Sequence, residues 1–588
     1  MKGCLARASG GAVLIAVFGL LAVLIWRQPT DPGDPEPSPI GVDFAEAWQA
    51  GRLDDVSYDP SSPPALDDGN SRKIAAEARR IVEDLSEDDE DHPVTVVAVG
   101  NPRQITQPEA DLRPGDLMQA LVVSWQLGHD RTWTYRTEVA IRETDDQPRV
   151  LWRPSAIHPA LTEGLRLTTR RLRANRAPVL AADARPLATG AADRLVGAVA
   201  TATDDLVATN PDRVVAGDVV GTSGLNLMYD AQLAGTAGLE VGSVPMREST
   251  PVQPLVRQLF VFPPVPGKPL RLSLDPGWQQ RADAAARAAK VPVGVIALDA
   301  MTGRILAAAS AGGDGRDLAL QGRYPGGGAL RLVTTLASVR AGQFSGSGLD
   351  LSTAGRAGLD TLALDCRPYD VEGQRFTNPA TAPQTSPVPL GTGIARECVT
   401  GLGRLAASLP AEALPDAATS LGIGLPSDTG TQAYDGVVPR PRTTLEQVQN
   451  AVGEGTVLVS PLAMARASAT VATGVAHPPT LVGDRPAATP DPQAQLASSE
   501  LAVLTSLMRD SVSLDESLAP LRSASSGAVS AFGGTAGYGP AATAPAYGWC
   551  TGYQGSVAFA VLVAGGTSGQ ADPGLARRAA DVVAALLG

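Results

Sequence analysis

Apolar positions recur at two different periods along this chain, and the change from one to the other marks its parts. Between Val42 and Leu53, the residues Phe44, Trp48 and Leu53 fall near helical spacing, and Ser71–Leu85 repeats that pattern. Two helices are expected there. Strands should follow, because Val94–Val99 is β-branched, Leu117–Leu127 is apolar, and Trp133, Tyr135, Thr137, Val139 and Ile141 alternate with polar neighbours. Far downstream, Val293–Ser310 reads as a strand, a tight turn at Met301–Gly303 and a second strand. Asn450–Ala465 sets a Gly-Glu-Gly turn before a Ser-Pro helix start, and Val557–Gly566 and Leu575–Leu587 read as a closing strand and helix.

A different pattern opens the chain. Gly10–Trp26 carries no charge, is preceded by Lys2 and Arg7, and is closed by Arg27. At helical rise this run is about 25 Å long, the short end of what crosses a bilayer. It lacks a clean small-x-small cleavage site, so an uncleaved anchor within residues 1–28 is expected, not a signal peptide. Its flanking charges put the N-terminus in the cytoplasm and the bulk of the chain outside a plasma membrane crossed once. The acidic, proline-dense segment 29–40 should be an extended spacer.

Composition narrows the function. With 588 residues, 44% of them hydrophobic, the chain can form about three or four domains, each with its own core. The formal net charge of -13 argues against nucleic acid as a partner. Four cysteines, Cys4, Cys366, Cys398 and Cys550, are too few for a disulfide scaffold. Five successive carboxylates at 87–91 invite a calcium reading, but a metal loop alternates its ligands with glycine, so a solvated loop is expected and no metal or other cofactor is assigned. His158 and His477 each precede a proline with no nucleophile motif beside them, and neither is assigned chemistry.

The chemistry centres on Tyr324–Thr334, YPGGGALRLVT. It resembles the Tyr-Pro-Pro-Gly-Ser-x-x-Lys segment of class B penicillin-binding proteins, the D,D-transpeptidases that cross-link peptidoglycan. The resemblance puts Gly328 at the nucleophilic serine and Arg331 at the lysine one helical turn on. Glycine has no oxygen to acylate, and a guanidinium does not lose its proton at any working pH. The family's Ser-x-Asn motif falls on Glu397, Cys398 and Val399, and its Lys-Thr-Gly motif on Phe532, Gly533 and Gly534. Only the last glycine is kept. The chain's four lysines are Lys2, Lys73, Lys268 and Lys290, so no shift of register restores a Ser-x-x-Lys or Lys-Thr-Gly. No catalytic residue is therefore assigned. A vestigial oxyanion hole is implied at the backbone of Gly328 and Thr535. Cys398 is expected as a buried small hydrophobe, with a disulfide to Cys366 as the alternative.

The resemblance extends further along the chain. Two helices before a sheet, ending at Trp152–Pro159, resemble the nuclear-transport-factor-two-like domain of penicillin-binding proteins related to the methicillin-resistance transpeptidase. Arg176–Ala188, Gly224–Gly235 and Leu270–Gln280 resemble the family's non-catalytic linker. The implied architecture is multidomain α+β: the α+β cone over 41–160, a linker or dimerisation domain over 161–285, and a β-lactamase-like transpeptidase domain over 286–588, an antiparallel sheet flanked by helices. The implied function is an inactive scaffold or regulator of cell-wall synthesis, partnered by wall-synthesis or division proteins. The alternatives are a module sensing peptidoglycan peptides, and an active transpeptidase using an unrecognised nucleophile such as Ser345 or Ser347.

Overall fold

The computed structural model describes residues 36–62, 70–85, 94–128, 130–188, 192–209, 214–246, 254–344, 356–483, 489, 492, 494–523, 527–537, 545–567 and 574–588. The expected anchor, Cys4, the acidic run at 87–91, Ser345 and Ser347 lie outside them. Among the described residues, no helix is long and apolar enough to cross a membrane.

The chain forms two compact units, the first made of residues 1–173 and 236–265, the second of 174–235 and 266–588. In the first, α1 (Pro39–Gln49) and α2 (Asn70–Val82) precede β1 (Val94–Gln104), β2 (Leu117–Gln126), β3 (Thr132–Arg142) and β4 (Arg149–Leu151). These four strands form one antiparallel sheet in sequential order. The helices start where the sequence pattern placed them, with one shift. Pro39 and Ile40, expected in the spacer, are already helical. Pro39 suits a first helical turn because its missing N–H would have no intrahelical partner, and Ser38 Oγ caps the helix by accepting from Gly41 N–H at 3.3 Å. The apolar faces meet in a core that includes Phe44, Ile74, Ile81, Leu121, Trp125 and Trp152.

A second sheet in this unit has the order β7-β6-β5, with β5 (Leu165–Leu172), β6 (Gly238–Pro245) and β7 (Arg257–Phe262). β5 and β6 pair along their whole length, from Leu165↔Pro245 to Leu172↔Gly238. Residues 161–285 thus contribute to both units.

The second unit is built on five antiparallel strands in the order β9-β8-β12-β11-β10. These are β8 (Val293–Asp299), β9 (Ile305–Ala311), β10 (Val529–Gly537), β11 (Pro545–Gln554) and β12 (Val557–Thr567). The β8–β9 hairpin turns where expected, with Gly303 at φ +75°, a conformation that glycine adopts without steric cost. The sheet's middle is apolar on both faces. One face buries Val293, Val295, Phe559 and Val561 with α3 (Pro276–Ala288) and the C-terminal helix Gly574–Leu587. The other packs Ile296, Ala560 and Leu562 with the helices that carry the candidate site. Those helices are α4 (Arg331–Arg340), α5 (Leu390–Ala395), α6 (Val399–Ala406), α7 (Pro461–Thr473) and α8 (Ser498–Leu514). At the Ser-Pro start of α7, Ser460 Oγ accepts from Ala463 N–H at 3.0 Å.

Candidate active-site cleft

The segment Tyr324–Leu330 is held from both sides. Tyr324 exchanges backbone hydrogen bonds with Val459 at 3.0 and 2.8 Å, Trp549 Nε1 on β11 donates to Pro325 O at 2.9 Å, and Gly327 N–H donates to Gly453 O at 2.8 Å. Residues 327–330 form one 3-10 turn, which hands over directly to α4. Gly327 sits at φ +49°, and a Cβ there would come within 2.5 Å of Ala536 Cβ on β10. The glycines are what allow this turn to approach the strand so closely.

Arg331 opens α4 and is buried, with 1% exposure. Nε donates to Gly328 O at 2.9 Å, while one terminal nitrogen donates to Ile394 O at 2.9 Å and Ala395 O at 3.2 Å. The other donates to Gly533 O and lies 3.7 Å from Asp515 Oδ2. The guanidinium also sits 4.6 Å from the centroid of the Phe532 ring. A buried cation needs such a full set of partners, and here they clamp the start of α4 to the end of α5 and to β10. Asp515 is oriented by Ser517, whose N–H and Oγ donate to Oδ1 at 2.9 and 2.7 Å.

Glu397 fills the space beside Gly328. A Cβ on Gly328 would overlap its Oε1 and lie 2.7 Å from its Cδ, and a Cβ on Gly534 would lie 2.5 Å from the same oxygen. A serine side chain at 328 and the Glu397 carboxyl cannot occupy this place together. The amide of Thr535 faces the same oxygen at 3.4 Å. Thr535 is thus not an open oxyanion donor, as its expected place in a vestigial hole required, because the chain's own Glu397 carboxyl lies against it.

The local fold explains how the carboxyl gets there. Glu397 adopts φ +61°, uncommon for a residue with a side chain. The turn is braced on both sides: Cys398 N–H donates to Gly393 O at 2.9 Å and Val399 N–H to Glu397 O at 2.8 Å. Cys398 and Cys366 form a disulfide, S–S 2.09 Å, correcting the expectation of Cys398 as a free buried thiol. Spacing could not decide this, because the chain between two cysteines with a sequence separation of 32 must fold back before the sulfurs meet. Cys550 is free and buried.

The electrostatics favour a neutral glutamic acid. Burial pushes Glu397 up to about 8, and Asp515 adds to the rise, against the lowering effects of Arg331 and the Thr535 amide. A second carboxyl, Glu454 in the Gly-Glu-Gly turn, is pushed up to about 7 by burial alone.

The structure therefore gathers Gly328, Arg331, Glu397, Phe532, Gly533, Gly534 and Thr535 at one place. Val399 is not among them; it packs with Phe376, Val448 and Val452. Gly533 is small for a separate reason, since a Cβ there would come within 2.7 Å of Leu518 Cδ2. Sequence reasoning missed Asp515 and Glu454. Asp515 follows α8 in an Asp-Glu-Ser run that reads as an ordinary turn, and only the fold aims it at Arg331. His158 stacks on Trp133 with ring centroids 5.3 Å apart in the first unit, and burial beside Arg257 lowers it to about 4. Among the described residues, no group of three or more His, Cys, Asp or Glu is placed to hold a metal ion. What the arrangement offers is a buried, charge-compensated plug, with neither hydroxyl nor amine at the positions where acyl transfer needs them.

The chain belongs to the penicillin-binding protein transpeptidase domain family, which matches residues 293–586. No curated protein matches the sequence. Among solved structures, it is similar to Pseudomonas aeruginosa PBP2 in complex with WCK 5153, at 18% identity and TM-score 0.52, covering 71% of this chain and 96% of that one. It is also similar to the penicillin-binding protein PBP2 of Helicobacter pylori, solved in complex with MreC, at 13% identity and TM-score 0.53, covering 72% and 98%. These two likenesses are of fold.

Proposed function

We propose that this protein is a catalytically inactive class B member of its family, anchored in the plasma membrane, that acts as a scaffold or regulator of cell-wall synthesis. The observation that carries the reading is the Glu397 carboxyl lying where a nucleophilic serine side chain would project from position 328, with the Arg331 guanidinium committed to backbone carbonyls nearby. Packing residues and chemical residues are different sets, so the fold can persist without the reaction. In this reading residues 41–160 are the nuclear-transport-factor-two-like module, which two helices followed by the sheet β1–β4 support. The Cys366–Cys398 disulfide supports an extracytoplasmic second unit, since disulfides persist in oxidising compartments. A protein partner in wall synthesis is proposed by analogy with the Helicobacter PBP2, whose structure was solved with MreC.

The test is incubation of the purified full chain with a fluorescent penicillin, followed by a denaturing gel and intact mass. No covalent label is expected. An adduct on any side chain between 286 and 588 would falsify the inactive reading. Affinity purification from cells separates scaffold from sensor: wall-synthesis proteins should co-purify, and recovery of wall peptides alone would favour a sensor.

A further inference from the structure

The first unit contains a cleft of about 540 Å³ between α2 and the segments that carry Pro154, Glu163, Gly164 and Met246. That volume is in the range of small-ligand sites. Its far wall is fixed by Met246 N–H donating to Gly164 O at 2.7 Å. Its recessed side includes the buried Trp152, whose Nε1 donates to Glu77 Oε2 at 3.1 Å. α2 lines the near wall with Arg72, Lys73, Ala76, Glu77 and Arg80.

Three of these are cations on one helix face, spaced so that Lys73 and Arg80 stand about 10 Å apart along the axis, with small Ala76 leaving room between them. All three are exposed, and none forms an ion pair among the described residues. Other arginines of the same unit do find carboxylates: Arg166 pairs with Asp84, Arg170 with Glu240, and Arg142 with Asp59 and Asp116. In a chain of net charge -13, three cations thus converge on one cleft. The opposing charges are Glu77, engaged by Trp152, and Glu163 on the far wall.

We propose that this cleft binds phosphate groups presented in succession, one held near Arg72 and Lys73 and the next near Arg80. Arginine's planar fork matches phosphate oxygens in pairs, and lysine adds a point charge. Two sources share this chemistry, anionic lipid headgroups and a soluble phosphate polymer. The first is considered because the expected anchor would hold Glu36 within roughly 35 Å of a bilayer.

The test places the full chain in phosphatidylcholine nanodiscs and follows hydrogen exchange of residues 70–82. Linear polyphosphate is added in one arm, and phosphatidylglycerol is included in the disc in the other. Protection is expected in at least one arm, and which arm shows it identifies the source. The combined variant Arg72→Gln/Lys73→Gln/Arg80→Gln should weaken binding at least about tenfold. Arg79→Gln, on the same helix but outside this cleft, should leave binding unchanged, and Glu163→Gln should tighten it several-fold. The last variant keeps the test decisive if the triple variant folds poorly. Absence of protection in both arms overturns the proposal, as does an Arg79→Gln loss equal to that of the triple variant, which would mark diffuse charge attraction and no site.

Discussion

A β-carbon at position 328 would displace the Glu397 carboxyl, which takes the volume that it would need. The same burial makes Glu397 a sensor of pH for the fold. Its folded value is raised to about 8, above the ordinary glutamate value, so the native state holds a proton that the unfolded chain releases between roughly pH 4.5 and 8. Stability is therefore full below that window and falls as pH rises through it, by at most about 1.4 kcal/mol per pH unit for one group. Glu454, raised to about 7, contributes in the same direction. Glu397→Gln keeps a neutral side chain of similar shape. Thermal melts should show the variant equal to the parent near pH 5 and more stable near pH 8, with a reduced but surviving slope from Glu454. Parallel melting curves for the two proteins across this range would show that Glu397 does not hold the proton assigned to it.

Among the elements, the turn between α5 and α6 decides the cleft, and it is tied down by the Cys366–Cys398 bond. Closing a loop with a sequence separation of 32 should stabilise the native state by roughly 3–4 kcal/mol. Replacing both cysteines with serine should lower the denaturant midpoint accordingly and speed exchange at the Cys398 and Val399 amides. An unchanged midpoint would mean that the turn is held by its backbone hydrogen bonds alone. The elements themselves were largely legible in the sequence: the periods of Val42–Leu53 and Ser71–Leu85, the β8–β9 hairpin and the Ser-Pro start of α7 all fall where local pattern puts them. The identities at 328 and 331 already excluded serine and lysine chemistry. What was not legible depends on long-range approach. The Glu397 plug requires a left-handed turn, the disulfide requires a fold-back, and Asp515 reaches Arg331 across 184 positions of chain (515 − 331).

On the scale of the whole molecule, the family match over residues 293–586 understates what the transpeptidase-like unit needs. Residues 174–235 belong to the same compact unit, and Val179, Leu195, Leu225 and Leu233 share one buried cluster with Ile296 and Leu330. Val179–Leu180 also pairs in parallel with Leu270–Arg271. A chain beginning at residue 266, which keeps α3 whole, loses these partners and exposes the apolar surface they cover. At about 1.5–3 kcal/mol per buried aliphatic side chain, four of them amount to a large fraction of an ordinary domain's stability. With each kcal/mol moving the midpoint by about 2–4 °C in a domain of this order, the truncated chain should melt more than about 10 °C below the same unit in the full protein, or fail to fold. Calorimetry of the two chains checks this. Equal midpoints would mean that residues 174–235 only lie against the unit and that it folds without them.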